Sequence, residues 1–381
     1  MKIEMELPVI QMVDLKTQYL HIKEEVDVAI QEVIDSSRFI QGPKVQEFEA
    51  NLASYLGVKE VISCANGTDA LQIALMALGL QPGDEVIVPA FTYVATAEVI
   101  ALLGFHPVMV DVNPDDFNIA TDDLESAITP ATKAIVPVHL FGQCADMETI
   151  MAIAQKHNLY VVEDNAQAIG STFTFKNGHQ QKAGTIGHIG TTSFFPSKNL
   201  GCFGDGGAIF TNDEALDKKI RMIANHGQSK KYYHQVIGVN SRLDAIQAAV
   251  LDVKLKYLDT YIAARQTVAQ QYDTGCRSLE YLDIPVRNST SSHVFHQYTL
   301  KTKGINRNQL QSFLKTHHIP SAIYYPVPLY QQQAFRAYNT GNLQLPVTEQ
   351  LCDSVISLPI HTEMTGETIE YIIHALGDYA E

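Results

Sequence analysis

The stretch Glu60-Val61-Ile62-Ser63-Cys64-Ala65-Asn66-Gly67-Thr68-Asp69-Ala70-Leu71 decides the fold of this 381-residue chain. Glu60 to Cys64 is short and β-branched, as a strand requires. Asn66 to Asp69 supplies a turn and a cap, and Ala70 to Leu78 has the alanine and leucine content of a helix. The same unit recurs outward. Strands are expected at Glu85–Val88, Pro107–Asp111, Lys133–His139 and Leu159–Glu163, with helices near 94–103 and 146–157. In the latter helix Met147, Ile150, Met151 and Ala154 keep an apolar stripe behind the N-cap Asp146. Strands alternating with helices predict an α/β protein with a three-layer, mostly parallel sheet.

Upstream, residues 16–35 have helical periodicity, and a second helix is expected at about Val45–Leu56, after Gly42-Pro43. Downstream, residues 171–189 offer no clear element. Gly190–Phe195 and Gly207–Thr211 are expected strands, and a long helix starts near Asp244. The chain then divides into a large domain, residues 1–255, and a smaller α+β domain, residues 256–381. The latter is expected to hold a strand at Val294–Lys301 and helices near 307–317 and 366–377.

Composition bounds the function. The chain is 46% hydrophobic, and its net charge of −15 opposes a general nucleic-acid binder, which needs a basic face. Five scattered cysteines without a C-x-x-C pair suggest neither a disulfide framework nor a zinc site, so no metal is expected. Residues 1–10 lack a signal-peptide core, and no apolar run is long enough to span a membrane. A cytoplasmic location is expected.

Chemistry gathers at strand ends. Lys198 follows the apolar run Ser193–Phe195 and Pro196, and precedes the glycine-rich segment Gly201–Gly207. A neutral amine there forms a Schiff base with an aldehyde; a surface lysine in a turn is the plainer account. Free N–H groups at the helix start Gly67-Thr68 favour a phosphate, although an N-cap explains Thr68 equally well. There is no Walker or dinucleotide loop. Asp164, at the end of Val161-Val162-Glu163-Asp164, suits a protonated ring nitrogen or, equally, a helix cap. Tyr93 can stack on a planar ring or simply pack. Amine, phosphate cradle, carboxylate and aromatic face are together what pyridoxal phosphate needs.

The chain resembles the DegT-like family of nucleotide-sugar aminotransferases, within the fold-type-I pyridoxal-phosphate enzymes. The likeness extends from Val13-Asp14-Leu15 into the C-terminal part. It rests on Asn66–Leu71, Pro89–Thr96, Glu163–Gln167, the lysine segment and Gly238-Val239-Asn240-Ser241-Arg242-Leu243-Asp244-Ala245-Ile246-Gln247-Ala248. The resemblance implies that Lys198 carries the cofactor and acts as catalytic acid and base, with Asp164 on the pyridinium nitrogen. It places Gln167 by the ring hydroxyl, Tyr93 on the ring face, and Gly67, Thr68 and Ser193 on the phosphate. Asn240 would reach the other subunit's phosphate, implying a homodimer with shared sites. L-glutamate is the implied donor and a nucleotide-linked keto sugar the acceptor. The segment Phe195–Gly207 looks most like relatives that aminate C3 of a UDP-linked 2-acetamido-3-keto-hexuronic acid, in cell-surface polysaccharide biosynthesis. A dTDP-linked 3-keto-6-deoxyhexose is the alternative acceptor, and a non-enzymatic sensing protein the alternative class. Arg242, two residues after Asn240, is a candidate for the sugar carboxylate, or else pairs with Asp244 or another acidic neighbour at the helix start. Tyr325 is a candidate substrate contact. Tyr330 stands where many relatives have histidine, so the resemblance carries no sugar contact over to that position.

Overall fold

A computed structural model describes residues 9–122, 124–339, 341 and 343–379. Residues 1–8, part of the segment expected to lack a signal-peptide core, lie outside them. The chain begins with helices α1 (Leu15–His21) and α2 (Lys23–Ser36), then α3 (Pro43–Leu56). The single helix expected over 16–35 is therefore two. Ile22, at φ −117° and ψ 15°, breaks it, and its side chain is buried. Next come β1 (Glu60–Cys64), α4 (Gly67–Leu78), β2 (Glu85–Pro89), α5 (Ala95–Leu102), β3 (His106–Val110), β4 (Thr132–Ile135), α6 (Met147–His157) and β5 (Tyr160–Asp164).

Residues 171–189, without a clear element in the sequence reading, contain a hairpin of β6 (Thr172–Thr174) and β7 (Gln180–Lys182). Asn177-Gly178 makes its turn, with Gly178 at φ +83°. β8 (Ile189–Ser193) and β9 (Gly207–Thr211) flank the lysine segment. α7 (Glu214–Ala224), the short pair β10 (Gln228–Lys230) and β11 (Tyr233–His234), and α8 (Ala245–Leu255) follow.

The main sheet has the order β1-β9-β8-β5-β4-β2-β3. β9 runs antiparallel to both neighbours, and the other pairs are parallel. Side chains alternate between its two faces. Ile62, Val86, Ala134 and Val162 join one buried cluster with α4, α5 and α7. Val61 packs with α3 and α8, while Ile87, Ile135 and Val161 pack with α6. Burial on both faces is what makes these strands continuous apolar runs.

The remaining elements are α9 (Leu258–Cys276), β12 (Leu282–Asp283), β13 (Tyr298–Thr302), α10 (Arg307–Thr316), α11 (Pro346–Ser354), β14 (Val355–Leu358) and α12 (Gly366–Tyr379). β12, β13 and β14 form an antiparallel sheet under α9, α10 and α12. The strand expected at 294–301 starts only at Tyr298. Phe295, at φ +47°, turns the chain away from extended geometry. The buried Arg265 guanidinium donates to the carbonyls of Phe295, His296 and Ile360, which holds the irregular segment in place.

Candidate active site

The C-terminal ends of β5 and β8, the loop after β2 and the N-terminus of α4 meet around a cavity of ≈700 Å³. Strand ends of an open α/β sheet are where ligands gather, because side chains from several connections converge there. Gly67, Thr68, Tyr93, Asp164, Gln167, Ser193, Lys198 and Tyr325 all line this one cavity. Asn240 and Arg242 do not. Asn240 is exposed, and Arg242 lines a separate cleft with Arg221 and Glu49. The alternative ion pair of Arg242 with Asp244 or another acidic neighbour does not occur among the described residues.

Lys198 sits in a tight loop. Its N–H donates to the Phe195 carbonyl at 2.8 Å, and the Cys202 N–H to Phe194 at 2.8 Å. A Cβ at Gly201 would fall 2.3 Å from the Pro196 carbonyl oxygen, so the loop closes only with glycine there. The Lys254 ammonium holds the Gly201 carbonyl at 2.8 Å. Lys198 keeps some surface inside the cavity, yet burial pushes its ammonium down to about 8 against the opposing pull of Asp164. An amine so placed is partly neutral near neutral pH and able to attack a carbonyl.

Asp164 is 5% exposed. Its Oδ2 accepts from the Thr96 hydroxyl at 2.7 Å and its Oδ1 from the Ala166 N–H at 3.1 Å. Gln167 accepts from the Phe141 N–H at 2.7 Å and donates to the Tyr325 hydroxyl at 3.2 Å. Tyr325 therefore keeps its own proton for a ligand oxygen, and burial raises its phenol above the ordinary range. Tyr93 is 58% exposed at the cavity mouth, with its ring centroid 6.3 Å from that of Tyr325.

The phosphate candidate is a close approach of backbones. The Asn66 side chain accepts only the Asp69 N–H, which leaves the first N–H groups of α4 without intrahelical partners. A Cβ at Gly67 would meet Ser193 Cβ at 2.7 Å, and one at Gly207 would meet the Asn66 oxygen at 2.4 Å. These glycines let the helix start lie against β8.

Some cavity residues escaped the sequence reading. His296 and Gln297 come from the irregular segment before β13, and no local signal marks them. Burial, reinforced by the charges of Lys198 and Arg265, holds His296 well below the ordinary histidine range. Thr96 closes the segment Pro89–Thr96, and only its contact with Asp164 gives it a role. Tyr330 lies in the core, and its hydroxyl bonds Glu349 rather than facing the cavity. Among the described residues no cluster of three metal-ligating side chains occurs, and no helix is long and apolar enough to cross a membrane.

Comparison with known proteins agrees with this geometry. The chain is 47% identical over 367 residues to the UDP-2-acetamido-2-deoxy-3-oxo-D-glucuronate aminotransferase of Pseudomonas aeruginosa, covering 96% of this chain and 99% of the relative. It is 44% identical to the UDP-N-acetyl-3-dehydro-alpha-D-glucosamine 3-aminotransferase of Acidithiobacillus ferrooxidans, covering 95% of this chain and 96% of that one. The solved structure of NtdA from Bacillus subtilis with bound cofactor PMP superposes with a TM-score of 0.88 at 33% identity, covering 98% of this chain and 85% of that one. The model of the DegT/DnrJ/EryC1/StrS aminotransferase family matches residues 20–377, and the chain belongs to that family.

Proposed function

We propose that this aminotransferase moves the amino group of L-glutamate onto C3 of a UDP-linked 2-acetamido-3-keto-hexuronic acid, using pyridoxal 5′-phosphate, for cell-surface polysaccharide biosynthesis. The observation that carries the chemistry is a desolvated lysine sharing one cavity with a hydrogen-bonded, buried carboxylate and a helix start whose Asn66 cap takes only the Asp69 N–H. The residues fit the cofactor: the amine is partly neutral, and the glycine-lined approach of α4 to β8 leaves N–H donors for a phosphate. The acceptor is the one named for the P. aeruginosa relative. The five cysteines are buried free thiols, which supports a reducing compartment such as the cytoplasm.

When bound, pyridoxal phosphate supplies the electron sink for negative charge at the amino-acid carbon. Neutral Lys198 would hold the cofactor through its aldehyde carbon, and as a free amine it would serve as base and acid toward the donor's carbon-bound proton. Asp164, with two donors of its own, would pair with the ring nitrogen. Gln167, fixed by Phe141 and Tyr325, would serve the ring hydroxyl, and Tyr93 the ring face. Gly67, Thr68 and Ser193 would hold the phosphate. Tyr325 offers its hydroxyl proton to the substrate. In a homodimer, Asn240 reaches the partner subunit's phosphate site, and Arg242 accompanies it there to bind the sugar carboxylate with a two-pronged guanidinium. Asn240 is exposed, and Arg242 makes no ion pair among the described residues of its own chain; both facts support this reading.

The test supplies glutamate with the uronic acid, with its neutral UDP-linked counterpart, and with a dTDP-linked 3-keto-6-deoxyhexose, the runner-up acceptor. Amino-sugar formation is followed by mass. The uronic acid should turn over fastest, and Arg242→Ala should lower its kcat/KM by roughly 10- to 150-fold, the worth of a charge-assisted hydrogen bond. Faster amination of a neutral sugar, or an Arg242→Ala variant indifferent to the acid, defeats the acceptor assignment.

A further inference from the structure

Asp164 is a buried carboxylate without a cation within ion-pair distance among the described residues. Taking such a charge out of water is costly unless donors replace the lost water. One donor is the Ala166 N–H, fixed by the turn that follows β5. The other is the Thr96 hydroxyl, which belongs to a different element and is 68 residues away in sequence. Thr96 is 1% exposed and sits in the first turn of α5, three residues after Tyr93. A β-branched side chain on a helix has few rotamers, so its hydroxyl direction is set by the backbone. Asp164 as a carboxylate can only accept, so the Thr96 proton must point at Oδ2. The 2.7 Å separation is that of a charge-assisted bond.

Two donors on two different oxygens fix a plane, whereas one leaves the carboxylate free to rotate about χ2. The lone pairs that remain then have set directions into the cavity that Lys198 shares. A partner for a ring N–H must be directed in just this way before the ligand arrives.

The geometry points to Thr96 as a positioning residue for Asp164, whose carboxylate plane it fixes toward the ring nitrogen of pyridoxal phosphate. This rests on the cofactor reading given above. Thr96 also ties the ring-nitrogen partner to the loop that carries Tyr93, so the edge and the face of the ring are held by one short segment.

The test compares Thr96→Val, which removes the hydroxyl at nearly constant volume, with Thr96→Ser, which keeps it. Cofactor-free proteins are titrated with pyridoxal phosphate to obtain Kd. The visible absorbance of the loaded proteins is then followed against pH. Thr96→Val should weaken the cofactor about tenfold, the low end for a hydrogen bond to a charged group. It should also move the midpoint of the visible band upward, because a ring nitrogen held less firmly carries less positive charge beside Lys198. Thr96→Ser should restore both to within about threefold and a few tenths of a pH unit. In an Asp164→Asn background, Thr96→Val should change Kd little further, since the hydroxyl acts through the carboxylate. Should Thr96→Val fail to fold, Thr96→Ala takes its place in the same comparison. Kd and titration curves that match wild type overturn the proposal. Serine as impaired as valine, or an equal loss in the Asp164→Asn background, assigns Thr96 to packing and also overturns it. Wild-type protein that gains no visible absorbance overturns the cofactor reading and this inference with it.

Discussion

Replacing Lys198 by methionine isolates what the reactive amine costs the fold. In the cofactor-free chain burial pushes its ammonium from an ordinary 10.5 down to about 8, and the attraction of Asp164 recovers only part of the loss. At 1.36 kcal/mol per pH unit, that difference amounts to about 3 kcal/mol. The folded value lies below the unfolded one, so between them the unfolded chain binds more protons. The penalty is therefore full below about pH 8 and fades as the pH rises toward 10.5. Methionine has similar length and no charge. Cofactor-free Lys198→Met should exceed wild type in stability by about 3 kcal/mol at pH 7, with the gap closing by about 1.4 kcal/mol per pH unit above 8. Lys254, also held at about 8 by burial, is present in both proteins and cancels. Urea denaturation at pH 7, 8, 9 and 10, at one protein concentration, measures the gap. The same variant should transfer no nitrogen. A gap that does not change with pH, or a variant less stable than wild type at pH 7, would refute the reasoning. So would retained transaminase activity.

Gly67→Ala places a Cβ 2.7 Å from Ser193 Cβ, so the first turn of α4 must back away from β8. Overpacking of this kind costs roughly 1–3 kcal/mol, and pyridoxal phosphate affinity should fall about tenfold or more; unchanged affinity by equilibrium titration would move the phosphate elsewhere. Mixing Lys198→Ala with Asn240→Asp subunits should restore activity, because one of the two mixed sites carries neither lesion. Confirmed heterodimers without activity would exclude Asn240 from the partner subunit's site.

Much of the fold is local and therefore legible in the chain. The strand at Glu60–Cys64, a cap within Asn66–Asp69, the stripe of α6 and the strand ending at Asp164 each follow from residues a few positions apart, although the capping residue is Asn66 and not Thr68. Other elements also carry local signals. Asn177-Gly178 between alternating residues marks the β6–β7 hairpin, and the Asp213 cap opens α7. The 19-residue helix α9 was obscured for a physical reason: it buries Arg265 and Asp273 among its apolar residues, which blurs its periodicity.

The candidate site divides in the same way. Position alone singled out Lys198, Asp164, Gly67, Thr68 and Tyr93, because each lies at a strand end or a helix start, where an α/β sheet binds ligands, and the family resemblance added Gln167 and Ser193. Only the tertiary structure decided that these residues face one cavity, that His296 and Tyr325 close it from the C-terminal part, and that Asn240 and Arg242 lie outside it in their own chain. It alone joined Thr96 to Asp164, and only it lowered the Lys198 pKa. Periodicity and caps report contacts over one or two turns of chain. Desolvation and long-range hydrogen bonds depend on which distant segments pack together, and that is fixed only when the sheet is assembled.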